Sequence, residues 1–117
     1  MKSSKLEYYY MKDEKYIAKM LELINKIQNY CFGKQYNDFI NNDMLIEACV
    51  FNLSQLGETA HRISDDIIKL HPEIAWNEIY GLRNRLIHDY EGTNPRLVWE
   101  IITEDLSPLK SQLENIF

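Results

Sequence analysis

The sequence predicts an all-α fold, a compact up-down bundle of four to five helices. Apolar residues recur at three- and four-residue spacings along most of the chain, which is the pattern of amphipathic helices. No stretch of strand-like alternation and no internal repeat competes with this pattern. The chain has 117 residues, 45% of them hydrophobic, which suits one core and a single domain.

The first predicted helix runs from Asp13 to Cys31. Its apolar stripe, with Leu23 at the edge, consists of Ile17, Met20, Leu21, Ile24, Ile27 and Cys31. The preceding tyrosines fall outside this stripe, and the residues around Asp13 would make a plausible helix entrance. We therefore divide the chain into an N-terminal extension, residues 1–11, and a helical domain, residues 12–117.

The second predicted helix runs from about Asp43 to Ser64, after a polar run that offers several N-cap residues. One apolar stripe along it consists of Leu45, Cys49, Leu53, Leu56, Ala60 and Ile63. Ile46, Val50 and Phe51 extend the apolar surface around the cylinder, so this helix is expected to be the central one. A short helical or irregular piece is expected to follow, up to Pro72.

A third helix is predicted from about Trp76 to Tyr90, with Gly92 marking its end. Pro95 then suits the first turn of a fourth helix. The apolar residues of that helix are Leu97, Val98, Ile101, Ile102 and Leu106. Pro108 is expected to begin or kink a final short helix.

The formal net charge of −5 argues against a protein that coats nucleic acid by bulk electrostatics. The charge is nevertheless unevenly distributed, because all four arginines and all three histidines lie between residues 61 and 96. Planar donors suited to phosphate are thus concentrated in one segment, unless few residues have clustered by chance.

Cys31 and Cys49 are the only cysteines, too few for a disulfide framework and without the spacing of a zinc site. We interpret both as reduced packing residues. No stretch has the length and apolar character of a signal peptide or a membrane-spanning helix, so a cytoplasmic protein without a membrane partner is expected.

The third helix carries an unusual arginine, because Arg83 falls on the same arc as the apolar residues. A guanidinium on a core-facing arc is unfavourable unless it is paired or faces a wet cleft or a partner subunit. His88 lies roughly 140° around the helix from Arg83 and shares an edge with Asn84. These groups suit proton transfer and stabilisation of a phosphate transition state. The plain alternative is a salt-bridged arginine and an exposed histidine.

The stretch HPEIAWNEIYGLRNRLIHDY, with NLSQLGETAHRIS upstream and LVWEIITEDLSPL downstream, resembles the HepT-like branch of the HEPN superfamily. The resemblance covers nearly the whole chain from Asp13 onward. It includes the family's Arg-x-x-x-x-His-x-Tyr pattern as Arg83, His88 and Tyr90. The N-terminal extension is not part of it.

The resemblance implies a HEPN-type helical homodimer, the toxin of a type VII-like toxin–antitoxin pair, that cleaves RNA without a metal or other cofactor. It implies that Arg83 and His88 carry the cleavage, with Asn84 in a supporting position. It also implies that an MNT-type nucleotidyltransferase antitoxin silences the toxin by attaching adenylate to Tyr90. A tyrosine at that position on the apolar arc is also compatible with a core residue whose hydroxyl is hydrogen-bonded.

Two rival interpretations remain open from the sequence. Glu58 and His61 form a Glu-x-x-His pair of the kind that holds a metal in some bundles, although the sequence offers no second pair. We expect Glu58 to pair instead with Arg62, four residues further along the helix, or with Arg83. The other rival is a non-catalytic helical interaction module that binds a nucleotidyltransferase or a nucleotide.

Overall fold

A computed structural model describes the backbone of residues 2–87 and 94–117, and the side chains of residues 10–86 and 94–117. Within these ranges the protein consists of helices joined by turns, without strands, which confirms the predicted all-α fold. The helices are α1 (Lys2–Cys31), α2 (Tyr36–Ile40), α3 (Asp43–Ala60), α4 (Asp65–Leu70), α5 (Trp76–Tyr80), α6 (Leu82–Ile87), α7 (Pro95–Glu100) and α8 (Leu106–Glu114). A single π-helical segment, Ile101–Asp105, joins α7 to α8. No described helix has the length and apolar character needed to cross a bilayer.

Helix α3 is the central helix, as predicted. It packs along α1 and also contacts α2, α5, α6 and α7. All six residues of its predicted stripe are buried, whereas Phe51 on the opposite face is 62% exposed. Asn42 caps the helix, because its side-chain oxygen accepts a hydrogen bond from the Leu45 backbone N–H at 3.0 Å.

Helix α1 begins earlier than the sequence predicted, at Lys2 rather than near Asp13. Asp13 is not an entrance residue but a buried one, and its carboxylate accepts hydrogen bonds from the Ser64 backbone N–H at 2.9 Å and hydroxyl at 2.6 Å. Spacing along the chain cannot show that a polar side chain hydrogen-bonds to a turn that is distant in sequence. Leu23, placed at the edge of the stripe, is buried, and Leu21 is half-buried. The division of the chain after residue 11 stays a prediction.

Two further segments differ from the predicted boundaries. The second helix ends at Ala60, and Ser64 instead caps the separate helix α4, where a short helical piece was one of the two expectations. The final short helix, α8, begins at Leu106, two residues before Pro108, which lies in its first turn. The preceding π-helical turn accommodates it, since a widened turn tolerates a residue that lacks a backbone N–H.

Cys31 and Cys49 are buried free thiols between α1 and α3, as predicted, with their sulfur atoms 3.7 Å apart. The hydrogen bond between them lowers the pKa of Cys31 and, together with burial, raises the pKa of Cys49. Both side chains are buried in the core, which agrees with the predicted packing role.

The third predicted helix is divided at Gly81 into α5 and α6. Two backbone hydrogen bonds bridge the division, from Gly81 N–H to the Asn77 carbonyl and from Arg85 N–H to the Gly81 carbonyl. On the side facing α3 the backbones approach closely, because a Cβ at Gly57 would lie 2.8 Å from the Ile79 carbonyl oxygen. This contact holds α5 and α6 against the C-terminal half of α3.

Candidate functional site

Arg83 projects from α6 toward α3 and stays largely open to solvent. Its side chain is 62% exposed, and Nη1 donates a hydrogen bond to Glu58 Oε1 at 3.1 Å. Arg83 was expected to face the core, and this expectation is wrong because the side chain is exposed. The predicted need for a partner or a wet cleft is nevertheless met, and Arg83 rather than Arg62 is the partner of Glu58.

The Arg83–Glu58 pair lies at one end of a surface groove of about 630 Å³ along the outer face of α3. Glu58, Arg62 and Arg83 line this basic end. Val50 and Phe51 line the other end, about two turns of helix away, beside the exposed carboxylate of Glu47. The groove thus combines guanidinium donors with an exposed aromatic surface.

Neighbouring residues of α6 face other surroundings. Arg85 lines a separate cavity of about 200 Å³ on the α8 side, together with Glu104 and Asp105. Asn84, the predicted supporting residue, is exposed, and its supporting role stays a prediction. Two arginines that are adjacent in the motif therefore lie at different sites, and only Arg83 belongs to the groove.

His88 and Tyr90 lie outside the described residues. The predicted arrangement of Arg83, His88 and Tyr90 is therefore untested, and the roles of all three residues stay predictions. What the structure does bring together is Arg83, Glu58 and Arg62.

The Glu-x-x-His pair does not converge on a common site. Glu58 pairs with Arg83, whereas the His61 imidazole stacks on the Tyr80 ring, with centroids 4.2 Å apart and planes inclined by 18°. Within the described residues no cluster of three or more potential metal ligands is found. The metal interpretation thus gains no support from the positions of Glu58 and His61.

Sequence reasoning missed a second group of side chains beside the groove. The Arg62 guanidinium lies over the Tyr16 ring, 5.9 Å from its centroid, and the His61–Tyr80 stack is adjacent. Burial, and to a lesser extent the negative charge of Asp65, raises the pKa of Tyr80. The sequence did contain a signal for this contact. His61 lies three residues after Glu58, and Tyr80 lies three residues before Arg83, so two antiparallel segments joined by the Glu58–Arg83 pair would also bring His61 to Tyr80.

A family model described as ribonuclease HepT-like matches residues 20–116 of the chain. A Methanocaldococcus jannaschii protein that is provisionally named an RNase is 35% identical over 101 residues, which are 86% of this chain and 93% of that protein. A Thermococcus cleftensis protein, provisionally named ribonuclease HepT, is 34% identical over 101 residues, 86% of this chain and 92% of that protein.

A third relative, from Caldanaerobacter subterraneus and also provisionally named an RNase, is 33% identical over 84 residues, 72% of this chain and 75% of that protein. No solved structure matches at a significant level. The family match spans the groove and both helices that form it. The chain belongs to the HepT-like ribonuclease family.

Proposed function

We propose that this protein is a metal-independent endoribonuclease, the toxin of a type VII-like toxin–antitoxin pair. The observation that carries the proposal is the solvent-exposed Arg83 guanidinium at the end of a groove, in a chain of a ribonuclease family. Relatives that share about a third of the sequence are named as ribonucleases, which supports RNA as the substrate.

The proposed reaction is attack of a ribose 2′-hydroxyl on the adjacent phosphorus. The O2′–P bond forms as the P–O5′ bond breaks, the hydroxyl proton passes to a base, and the leaving 5′-oxygen takes up a proton. His88 carries one of these proton transfers. Arg83 stabilises the negative charge that develops on the phosphoryl oxygens, and Asn84 assists from the adjacent position.

Glu58 has a place in this scheme. Its carboxylate pairs with the Arg83 guanidinium at 3.1 Å, with both side chains about half exposed or more. An arginine held in this way loses less side-chain entropy when a phosphate binds. We assign Glu58 as a residue that positions Arg83, and a phosphate oxygen can replace or join its carboxylate at the guanidinium.

The proposed homodimer uses the exposed apolar face of α3. Met44 is 80% exposed and Phe51 is 62% exposed, and their seven-residue separation places them on one side of the helix. A second copy packed on this face would bring two Arg83 groups to one cleft. The second subunit could then supply the proton transfer that one His88 leaves unassigned.

The proposed antitoxin is an MNT-type nucleotidyltransferase that adenylylates Tyr90. An adenylate two residues from His88 would add bulk and negative charge where the substrate phosphate must bind. Both effects oppose binding of RNA, which is why the modification would silence the toxin.

The test of catalysis compares Arg83→Ala and His88→Ala with Arg85→Ala, measuring cleavage of labelled single-stranded RNA in excess chelator. The first two variants should lose at least about 100-fold in rate, as expected for loss of a charge-stabilising group or a proton-transfer group. Arg85→Ala is the matched control, because it removes the same charge from a different cavity. Equal rates for all forms would remove Arg83 and His88 from catalysis, and no cleavage by any form would favour the interaction-module alternative. Loss of cleavage in chelator would refute metal independence.

The test of the dimer compares Phe51→Lys with Phe32→Lys by light scattering. Phe51 lies on the proposed interface, whereas Phe32, which is 86% exposed, lies just beyond α1. Only Phe51→Lys should dissociate the dimer and reduce cleavage. A dimer that survives this change would exclude the α3 face as the interface.

The test of silencing is intact-mass measurement after incubation with ATP and the nucleotidyltransferase. The unmodified chain should gain adenylate and lose cleavage, and Tyr90→Phe should do neither. Adenylate gained by Tyr90→Phe would remove Tyr90 as the modified residue.

A further inference from the structure

Two side-chain pairs connect α3 to the α5–α6 segment in the same antiparallel register. Glu58 pairs with Arg83, and His61 stacks on Tyr80. Each pair is three residues from the other along both segments, which corresponds to about 4.5 Å of helix rise. The stacked rings therefore lie about one helical turn from the guanidinium proposed to bind the scissile phosphate.

The stacked pair is accessible on the histidine side. His61 is exposed, whereas Tyr80 is half-buried. At a centroid distance of 4.2 Å the tyrosine ring supports the imidazole as a flat surface. Unpaired nucleobases stack on surfaces of this kind without reading sequence, because every base has a π-face.

Arg62 follows His61 in the chain and lines the groove itself. Its guanidinium lies over the Tyr16 ring, and it has no carboxylate within salt-bridge distance among the described residues. This is a long cation–π contact, 5.9 Å from the ring centroid, and it leaves the guanidinium N–H groups able to donate to phosphate oxygens. Arg62 and Arg83 line the same groove, so one RNA backbone can contact both.

We propose that His61, Tyr80 and Arg62 form a nucleotide subsite beside Arg83, where an unpaired RNA base stacks on His61 and a neighbouring phosphate binds Arg62. The inference rests on the proposed ribonuclease function. The carboxylates of Glu58 and Asp65 border the subsite. Because they repel phosphate, the phosphate is expected to bind on the side of the arginines. Because a base must leave its own stack to reach His61, the subsite favours single-stranded RNA over duplex.

The experiment measures binding of a fluorescein-labelled 2′-O-methyl oligoribonucleotide by polarisation. This probe keeps the bases and phosphates but lacks the attacking hydroxyl, so binding is measured without cleavage. His61→Ala should weaken binding about tenfold, as expected for loss of one stacked base. His61→Phe should restore binding because it keeps a ring.

Arg62→Ala should weaken binding. It should also make the plot of log association constant against log salt concentration less steep by about 0.7, the value for one phosphate contact on a single strand. His61→Ala should leave that slope unchanged. The matched control is Arg96→Ala, because Arg96 also lies over a tyrosine ring, at 3.8 Å from the Tyr36 centroid, but does not line the groove. The control should stay within about twofold of the unmodified chain in binding.

Cleavage of ordinary RNA by the same variants separates the two proposals. If the unmodified chain cleaves RNA and the His61 and Arg62 variants bind like Arg96→Ala, the subsite is refuted and the ribonuclease function stands. If the unmodified chain neither binds nor cleaves RNA, both proposals fail. A raised KM with little change in kcat for His61→Ala supports the subsite.

Discussion

The close contact between α3 and α5 makes Gly57→Ala an informative perturbation. In an ordinary helix interior this change stabilises by about 1 kcal/mol, because alanine has the higher helix propensity. Here the new Cβ would lie 2.8 Å from the Ile79 carbonyl oxygen, closer than the roughly 3.3 Å at which carbon and carbonyl oxygen normally meet. The helices must therefore separate by about 0.5 Å.

Such overpacking costs about 1 to 3 kcal/mol, which exceeds the gain in propensity. We expect a net loss of about 1 kcal/mol in the free energy of unfolding, measured by urea denaturation followed by circular dichroism. The displacement should also move Arg83 relative to Glu58 and lower RNA cleavage, since small misplacements of catalytic groups are costly.

Gly81→Ala is the matched control. A Cβ there would meet its nearest atom, the Asn77 carbonyl oxygen, at 3.5 Å, which is ordinary contact, and the backbone is already right-handed helical. This variant should gain about 0.4 to 1 kcal/mol. If Gly57→Ala proves as stable as Gly81→Ala, the close helix contact does not exist in solution and the reasoning is refuted.

Three further predictions concern stability. Asp13→Ala should lower the free energy of unfolding in urea by about 2 to 3 kcal/mol, because it removes the carboxylate that accepts two hydrogen bonds from Ser64. The control, Asp66→Ala at an exposed position, should stay within about 0.5 kcal/mol. Similar losses for both variants would contradict the buried role of Asp13. Asn42→Ala should cost about 1 kcal/mol through loss of the α3 cap, and an unchanged midpoint would show that the cap is not used. Burial raises the folded-state pKa of Tyr80 above its ordinary value of 10.0. The contribution of the neutral side chain to the stability of the folded state is therefore complete below pH 10.0 and declines as pH rises through the folded pKa. Tyr80→Phe should therefore lose less stability at alkaline pH than the unmodified chain, and an identical pH dependence would refute this.

The apolar spacing was sufficient to predict which face of α3 is buried, because helical periodicity is a local property of the chain. Helix ends were less predictable. Asp13 has the chemistry of a cap residue, but its carboxylate caps nothing in its own helix and bonds Ser64 instead. Pro108 was expected to begin or kink the final helix, and it lies in the first turn of α8, directly after a π-helical turn.

The candidate site was only partly predictable. The motif identified Arg83. Spacing offered Arg62 as the partner of Glu58, and the need of Arg83 for a partner offered Arg83, but the sequence could not choose between them. The choice depends on the close approach at Gly57, which fixes the distance between α3 and α6. Periodicity also placed Arg83 on the core arc, and only the packing of α6 beside α3 left its guanidinium exposed.

Local periodicity and the motif around Arg83 were enough to establish the helical class, the buried stripes and the family to which the chain belongs. Helix packing places Arg83 and Arg85 at different cavities and stacks His61 on Tyr80 rather than bringing it to Glu58. These relations join residues of different helices, so their distances depend on how the helices pack and not on spacing along the chain.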